Sequence, residues 1–546
     1  MALTFSLAKL HTNGMRARVD GGNDVKKYLT PMLILLLGTC SLAAIAADKP
    51  AAKAAAGAAA SSKATPPKEQ KSVTQGSVTV EGRRVDYTAT AGTIILRTAK
   101  GKPTGSMFYV AYTKRGVKDK SRRPVTFFYN GGPGSSSVWL HMGAFGPQRV
   151  VTADHSHTPA APYQLVNNDY SLLDVSDEVF VDAMGTGYSR IIAKDKGGVG
   201  KPKDFYGVDA DVKSFAQFVS RYLSENGRWN SPKYLFGESY GTPRSAALVN
   251  YLQLHDDMDL NGVILLSSIL DFRTASFNAG NDLPFELFLP SYAAVAWYHH
   301  ALPNQPAELQ PLLQQVQHFA LNGYAQALNQ GNALSPTDFA AVASKLHEFT
   351  GLGVGYLEKA DLRVTASEFE HQLLGSQDLT TGRLDARFAG PSMDPLSEVA
   401  QYDPQSAAIS SAYVSAFNDY AHATLKFGRD RHYIPEIDHD LKWDWKHRNP
   451  RTGQTWPGNL NVAVDLSQAM KYNPNLRVLV NSGYFDLATP YYATVYTMNH
   501  LQIPKDLRSH VQLDYYNSGH MVYVHVPALK QLHDNAAQFI KGTDNL

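Results

Sequence analysis

Two hydrophobic rhythms divide this chain. From Val73 to Thr113 apolar and polar positions alternate, as in Ser77-Val78-Thr79-Val80, Arg84-Val85-Asp86-Tyr87, Thr93–Arg97 and Ser106–Tyr112. Glu81-Gly82 and Lys100-Gly101 punctuate the runs, so the stretch predicts an antiparallel lead-in to a larger sheet. Further on, short unbroken apolar runs appear at Pro124–Tyr129, Glu178–Asp182, Lys233–Phe236 and Asn261–Ser267. Parallel strands buried on both faces read this way, and Val208–Leu223 between two of them has helical spacing. Strand alternating with helix predicts an α/β fold with its site at the carboxyl ends of the strands.

The alternation stops between about 271 and 445. Helical stretches at Ala307–Leu328, Pro336–Phe349, Ala366–Leu374 and Gln405–Lys426 predict an inserted helical cap, whose aromatic residues are read as packing. The sheet pattern resumes at Leu476–Gly483 and Val511–Tyr516, and Pro527–Ile540 predicts a terminal helix.

At the other end, Lys26 and Lys27 precede the apolar run Leu29–Leu37, which is short for a membrane span, and Ala44-Ile45-Ala46 offers a small-x-small cleavage pattern. Residues 1–47 are therefore read as an export signal, leaving no stable membrane span in the mature chain. Thr39 before Cys40 is atypical of a lipoprotein processing site, so that alternative is disfavoured. Residues 48–72 collapse to Ala, Lys, Ser and Pro and predict a disordered linker, and 73–546 the folded domain.

Composition excludes more than it selects. The 51 Lys+Arg nearly balance 49 Asp+Glu, and without a basic stripe no nucleic-acid partner is expected. The single cysteine excludes an internal disulfide framework. A homodimer is left open.

The chemistry concentrates in four places. Gly237-Glu238-Ser239-Tyr240-Gly241 follows a strand and opens a helix, the setting of the nucleophile elbow of α/β-hydrolases. Asn130-Gly131-Gly132-Pro133-Gly134 follows another strand, where glycines let backbone N–H groups approach a developing oxyanion. A serine needs a base and an orienting carboxylate, in the chain order Ser, acid, His. Asp486 and His520, each on a loop after a late strand, fit that order. Asp465 and Asp514 compete for the acid, and His500, His510 and His525 for the base. Asp465 is read as a helix cap, Asp514 and His510 as lying at or within a strand, and His525 as too far into the closing segment.

Together with Asn168-Asp169-Tyr170-Ser171 and Gly185–Ser189, these motifs resemble the serine carboxypeptidase family over about residues 105–540. The resemblance implies an α/β-hydrolase sheet, no metal or cofactor, and a triad of Ser239, Asp486 and His520. It implies an oxyanion hole from the N–H groups of Gly132 (or Gly131) and Tyr240. It also implies that Asn130, Gly131 and Glu238 form the substrate-binding set, Asn130 and Glu238 binding the terminal carboxylate of a peptide or protein. The chain departs from the family at Ser135, where a cysteine is usual, at Phe128, where a tryptophan is usual, at Gly241-Thr242 and at Ala144, which replaces a second acid. With its signal and without disulfides, it reads as an exported bacterial member, periplasmic or secreted. The expected function is a serine-type carboxypeptidase acting through an acyl-enzyme. An esterase or acyltransferase with the same triad and a catalytically silent binding protein are the alternatives.

Overall fold

The computed structural model describes residue 65 and residues 67–437, 441–455 and 458–546. The expected signal, and all but the end of the expected linker, lie outside them. The first three strands, β1 (Lys71–Val80), β2 (Arg83–Arg97) and β3 (Pro103–Lys114), form an antiparallel meander. β1 starts at Lys71, inside the stretch expected to be linker through residue 72, because Lys71 and Ser72 pair with Gly92 and Ala91 across β2. Backbone pairing, which composition does not report, extends the strand.

Six further strands follow: β4 (Val125–Tyr129), β5 (Asp177–Val181), β6 (Lys233–Glu238), β7 (Gly262–Leu266), β8 (Arg477–Gly483) and β9 (Val511–Tyr516). The sheet runs β1-β2-β3-β5-β4-β6-β7-β8-β9, with the two-residue strand Arg190–Ile191 beside β3. From β5 to β9 all neighbours are parallel. The chain leaves β4 toward β5 on one side and returns as β6 on the other. In open α/β sheets such a reversal opens a crevice at the strand carboxyl ends. Asn130 and Ser239 stand there, directly after β4 and β6.

Side chains alternate between the sheet's two faces, as a period of two requires. Phe128, Phe236, Ile264 and Leu479 enter one buried cluster, while Phe127, Leu235, Leu265 and Val480 enter another. The helices that cover the sheet include α1 (Val208–Asn226) and α2 (Gly241–Asp256). Next come α3 (Leu283–Tyr298), α4 (Leu309–Phe319), α5 (Pro336–Thr350) and α6 (Pro404–Ala423). After them come α7 (Ala463–Tyr472), α8 (Tyr491–Asn499) and α9 (Val526–Thr543). Helix α3 carries no periodic apolar signal, because it is apolar all round and almost wholly buried.

The region expected as one cap packs in two ways. Helices α3, α4 and α5 share a separate apolar cluster that also takes in Phe485, Leu487 and Tyr491. Helix α6 instead packs into the sheet-face cluster through Ile409, Tyr413, Phe417 and Tyr420. The helical insert thus grips both neighbours of Asp486. The fold is that of an α/β-hydrolase, the class expected from the alternation of strand and helix.

Candidate active site

Ser239 sits at φ +58°, in the left-handed region that β-carbon-bearing residues rarely adopt. The turn is held by Ser239 N–H donating to the Leu266 carbonyl at 3.0 Å and Thr242 N–H donating to the Ser239 carbonyl at 2.8 Å. A β-carbon at position 237 would lie 2.1 Å from the Gly241 carbonyl oxygen, so the elbow closes only around a glycine there.

Asp486 is fully buried and accepts from His520 Nδ1 at 2.8 Å. Its Oδ1 also takes the N–H groups of Ala488 and Thr489 at 2.7 and 2.9 Å, and its Oδ2 the Thr489 hydroxyl at 2.8 Å. Burial pulls this carboxyl up, but the His520 charge and these hydrogen bonds outweigh it and hold the group below the ordinary aspartate value. Thr489 Oγ1 lies 3.1 Å from His520 Nδ1 as well. His520 is fixed through its backbone: its N–H donates to the Leu384 carbonyl at 2.6 Å, and its carbonyl accepts from Ser267 Oγ at 2.6 Å.

Ser239 and His520 line one cavity with Asn130, Gly131, Gly132 and Glu238. A β-carbon at position 131 would stand 2.3 Å from Tyr240 N, so the glycine loop lies directly against the N–H that follows Ser239. Three contacts position that loop. Buried Arg244 donates to the Asn130 carbonyl at 2.8 Å while ion-paired to Asp211 at 2.6 Å. The Leu140 N–H donates to Asn130 Oδ1 at 3.1 Å. Asp182 Oδ1 accepts from Ser137 N–H at 2.9 Å and from Ser137 Oγ at 2.8 Å.

Asn130 Nδ2 donates to Glu238 Oε2 at 2.9 Å, and Tyr523 Oη donates to the same oxygen at 2.9 Å. Burial pushes Glu238 up to about 8 despite those two donors, so the carboxyl is protonated at neutral pH. Ala144 is buried in the turn Leu140–Phe145.

Among the described residues, the competing acids and bases stand elsewhere. Asp465 is not a cap: it lies in the first turn of α7, whose N-cap is Val462, and accepts from His447 Nε2 at 2.9 Å. His447 Nδ1 lies 2.6 Å from Asp209, and the two carboxylates outweigh burial to raise its pKa to about 9. His525 pairs with Asp154 at 2.6 Å, which itself pairs with Arg387 at 3.1 Å. Asp514 lies on β9 and accepts from Gln512, and His500 Nδ1 contacts the Tyr496 carbonyl of its own helix. His510 closes the turn before β9. Glu81, His533 and Asp534 bring possible ligand atoms within 4.8 Å of one another, but none of them lines the cavity.

Reasoning on motifs missed Tyr523, Thr489, Arg244 and Asp211. Tyr523 is three residues after His520 and Thr489 three after Asp486, a proximity that could have marked them. Arg244 and Asp211 are 33 residues apart, and only the packing of α1 on α2 joins them.

The serine carboxypeptidase family model matches residues 84–525 of the chain. The curated pheromone-processing carboxypeptidase KEX1 of Saccharomyces cerevisiae is 26% identical over 190 residues, 33% of this chain and 24% of the relative. The chain thus matches about a quarter of that relative's length. The crystal structure of a prohormone-processing carboxypeptidase from the same yeast superposes with a TM-score of 0.51 at 16% identity, over 83% of this chain and 91% of that one.

Proposed function

Because the chain belongs to the serine carboxypeptidase family, we propose that it is an exported serine-type carboxypeptidase that releases C-terminal residues from peptides through an acyl-enzyme. The observation that carries the reading is the place of the Glu238 carboxyl: buried, held by Asn130 and Tyr523, immediately before Ser239 and lining the same cavity. An ionised carboxyl there would repel a substrate carboxylate, whereas a neutral one donates to it.

The steps follow from the residues. Ser239 Oγ attacks the scissile carbonyl carbon as its proton passes to His520 Nε2, and Asp486 stabilises the imidazolium through Nδ1. The N–H groups of Tyr240 and Gly132 (or Gly131) take the charge that develops on the carbonyl oxygen. His520 then protonates the leaving amine, and the terminal amino acid departs, leaving the peptide esterified to Ser239. Water, deprotonated by His520, hydrolyses that ester and restores the serine.

Ala144 favours a second reading. With one acid instead of the two that the family resemblance implies, carboxylate recognition is reduced, as an esterase or acyltransferase would tolerate. Fluorophosphonate should label Ser239, and blocked dipeptides should be cut while their C-terminal amides are not. Equal cleavage of acids and amides overturns the carboxypeptidase reading in favour of the esterase. Absence of labelling overturns both enzyme readings and leaves a binding protein on a hydrolase fold.

A further inference from the structure

Between α5 and α6 the chain makes a short ribbon, in which Leu379–Thr381 pairs antiparallel with Ala389–Pro391. The turn of that ribbon, residues 383–387, meets both loops that carry the acid and the base. On the acid side, Leu487 N–H donates to the Arg383 carbonyl and Ala386 N–H to the Phe485 carbonyl, each at 3.0 Å. Asp486 stands between those two anchors. On the base side, His520 N–H donates to the Leu384 carbonyl at 2.6 Å, and Gly519 N–H donates to Asp385 Oδ2 at 3.2 Å. Five residues of the helical insert therefore clasp Asp486 and His520 together from outside the sheet.

Asp385 is the one side chain in that clasp which reaches the base loop with a charge. It is fully buried and does not line the cavity of Ser239. Buried Arg387 pairs with it, Nη2 to Oδ2 at 2.6 Å and Nε to Oδ1 at 3.0 Å, and Oδ1 also accepts the Arg387 backbone N–H at 3.1 Å. Arg387 Nη2 lies 3.4 Å from Ser518 Oγ as well. A buried ion pair desolvates both groups, and apolar side chains of similar volume are often as stable. What the charged pair supplies is direction: the guanidinium fork turns one carboxylate oxygen onto Gly519 N–H. A β-carbon at position 519 would stand 2.4 Å from Asp385 Cβ, so the backbone before His520 comes as near as only a glycine allows.

We propose that Asp385 is a positioning residue for His520, anchoring the peptide N–H before it so that the imidazole stays aligned between Asp486 and Ser239. This inference rests on the triad reading and deepens it. His520 takes a proton in acylation and again in deacylation, so its alignment governs both steps. Without the Gly519 anchor the peptide plane ahead of His520 is free to tilt, and small displacements of a proton-transfer group lower rate steeply. Substrate binding is untouched, because Asp385 lies off the cavity.

The test separates alignment from folding. Asp385→Ala combined with Arg387→Met removes both charges together, so neither is stranded, and it removes the acceptor for Gly519. Sites are counted by fluorophosphonate labelling carried to completion, so that misfolded chains drop out of the count. Per labelled site, kcat should fall by about 10- to 100-fold on a blocked dipeptide and on a simple ester alike, with KM changed little. Arg387→Lys keeps Asp385 ionised and paired and should retain kcat within about threefold. Should the double variant not fold, Asp385→Asn is read in its place, with the same fall expected. A second readout needs no turnover: the downfield proton resonance of the His520 Nδ1–H bonded to Asp486 should shift or broaden in the double variant and persist in Arg387→Lys. An unchanged kcat per site overturns the proposal, and so does an equal loss in Arg387→Lys, which would assign the effect to the guanidinium. If esters are cut and dipeptides are not, the carboxypeptidase reading fails while the ester rates still decide the role of Asp385. If Ser239 is not labelled at all, the triad reading fails and the resonance decides: a change confined to the double variant supports the role, and none overturns it.

Discussion

Asn130 Nδ2 donates to Glu238 Oε2 at 2.9 Å, across 108 residues of sequence. That bond joins the loop after β4 to the last residue of β6, at the point where the order of the strands reverses. It fixes the carboxyl beside Ser239, while burial raises its pKa to about 8.

The first consequence is a pH profile. Glu238 donates to a substrate carboxylate only while protonated, so kcat/KM for free-acid peptides should fall as pH rises through about 8. Ester substrates without a carboxylate should lack that limb. Glu238→Gln keeps a donor at every pH and should shift the alkaline limb upward while leaving ester cleavage largely intact. Peptide hydrolysis by Glu238→Gln that matches wild type at every pH would refute the role of this carboxyl.

The folding sign of the same group is opposite to that of most acids. Its native pKa is raised from 4.5 to about 8, so the native state holds a proton that the unfolded chain releases. Its contribution to stability should decline between about pH 4.5 and 8 and then level off. Chemical denaturation of Glu238→Gln and wild type should diverge across that window, the variant losing less.

Ser239→Ala and His520→Ala should each reduce turnover by about 10⁴ or more, because the three groups act as a unit. Asp486→Asn should cost about 10⁴ by stabilising the wrong histidine tautomer. Asp465→Asn, whose partner is His447 and not His520, should retain turnover. Hydrolysis by Asp486→Asn near wild type, with loss in Asp465→Asn, would reassign the acid.

Gly131→Ala places a methyl where Tyr240 N stands 2.3 Å away. The loop must shift, and the loss of one aligned oxyanion donor should lower kcat by about 10²–10³ with a smaller change in KM. Steady-state kinetics on a folded variant, verified by circular dichroism, checks this.

Arg244 and Asp211 form a buried ion pair at 2.6 Å, which also positions the Asn130 carbonyl. Asp211→Asn should destabilise the fold by about 3–5 kcal/mol, since it strands a buried guanidinium. The double change Asp211→Leu with Arg244→Met should cost less than Asp211→Asn alone, read from urea midpoints.

The sequence by itself determined the alternation that makes an α/β sheet, because parallel strands buried on both faces must be continuously apolar. It also placed Ser239 on a strand-to-helix turn and set Asp486 and His520 after late strands, since catalytic side chains in this fold ride on strand-end loops with local glycine signatures. Tertiary structure alone decided the pairings that join distant segments. Asp465, a cap by sequence position, became the partner of His447, because helix α7 turns its first-turn carboxylate inward. The expected single cap divided its packing between the helical insert and the sheet, since periodicity shows that a face is apolar but not what covers it. Arg244 on Asn130 and Tyr523 on Glu238 carry no local pattern. Each exists only because the folded chain brings one polar atom to another.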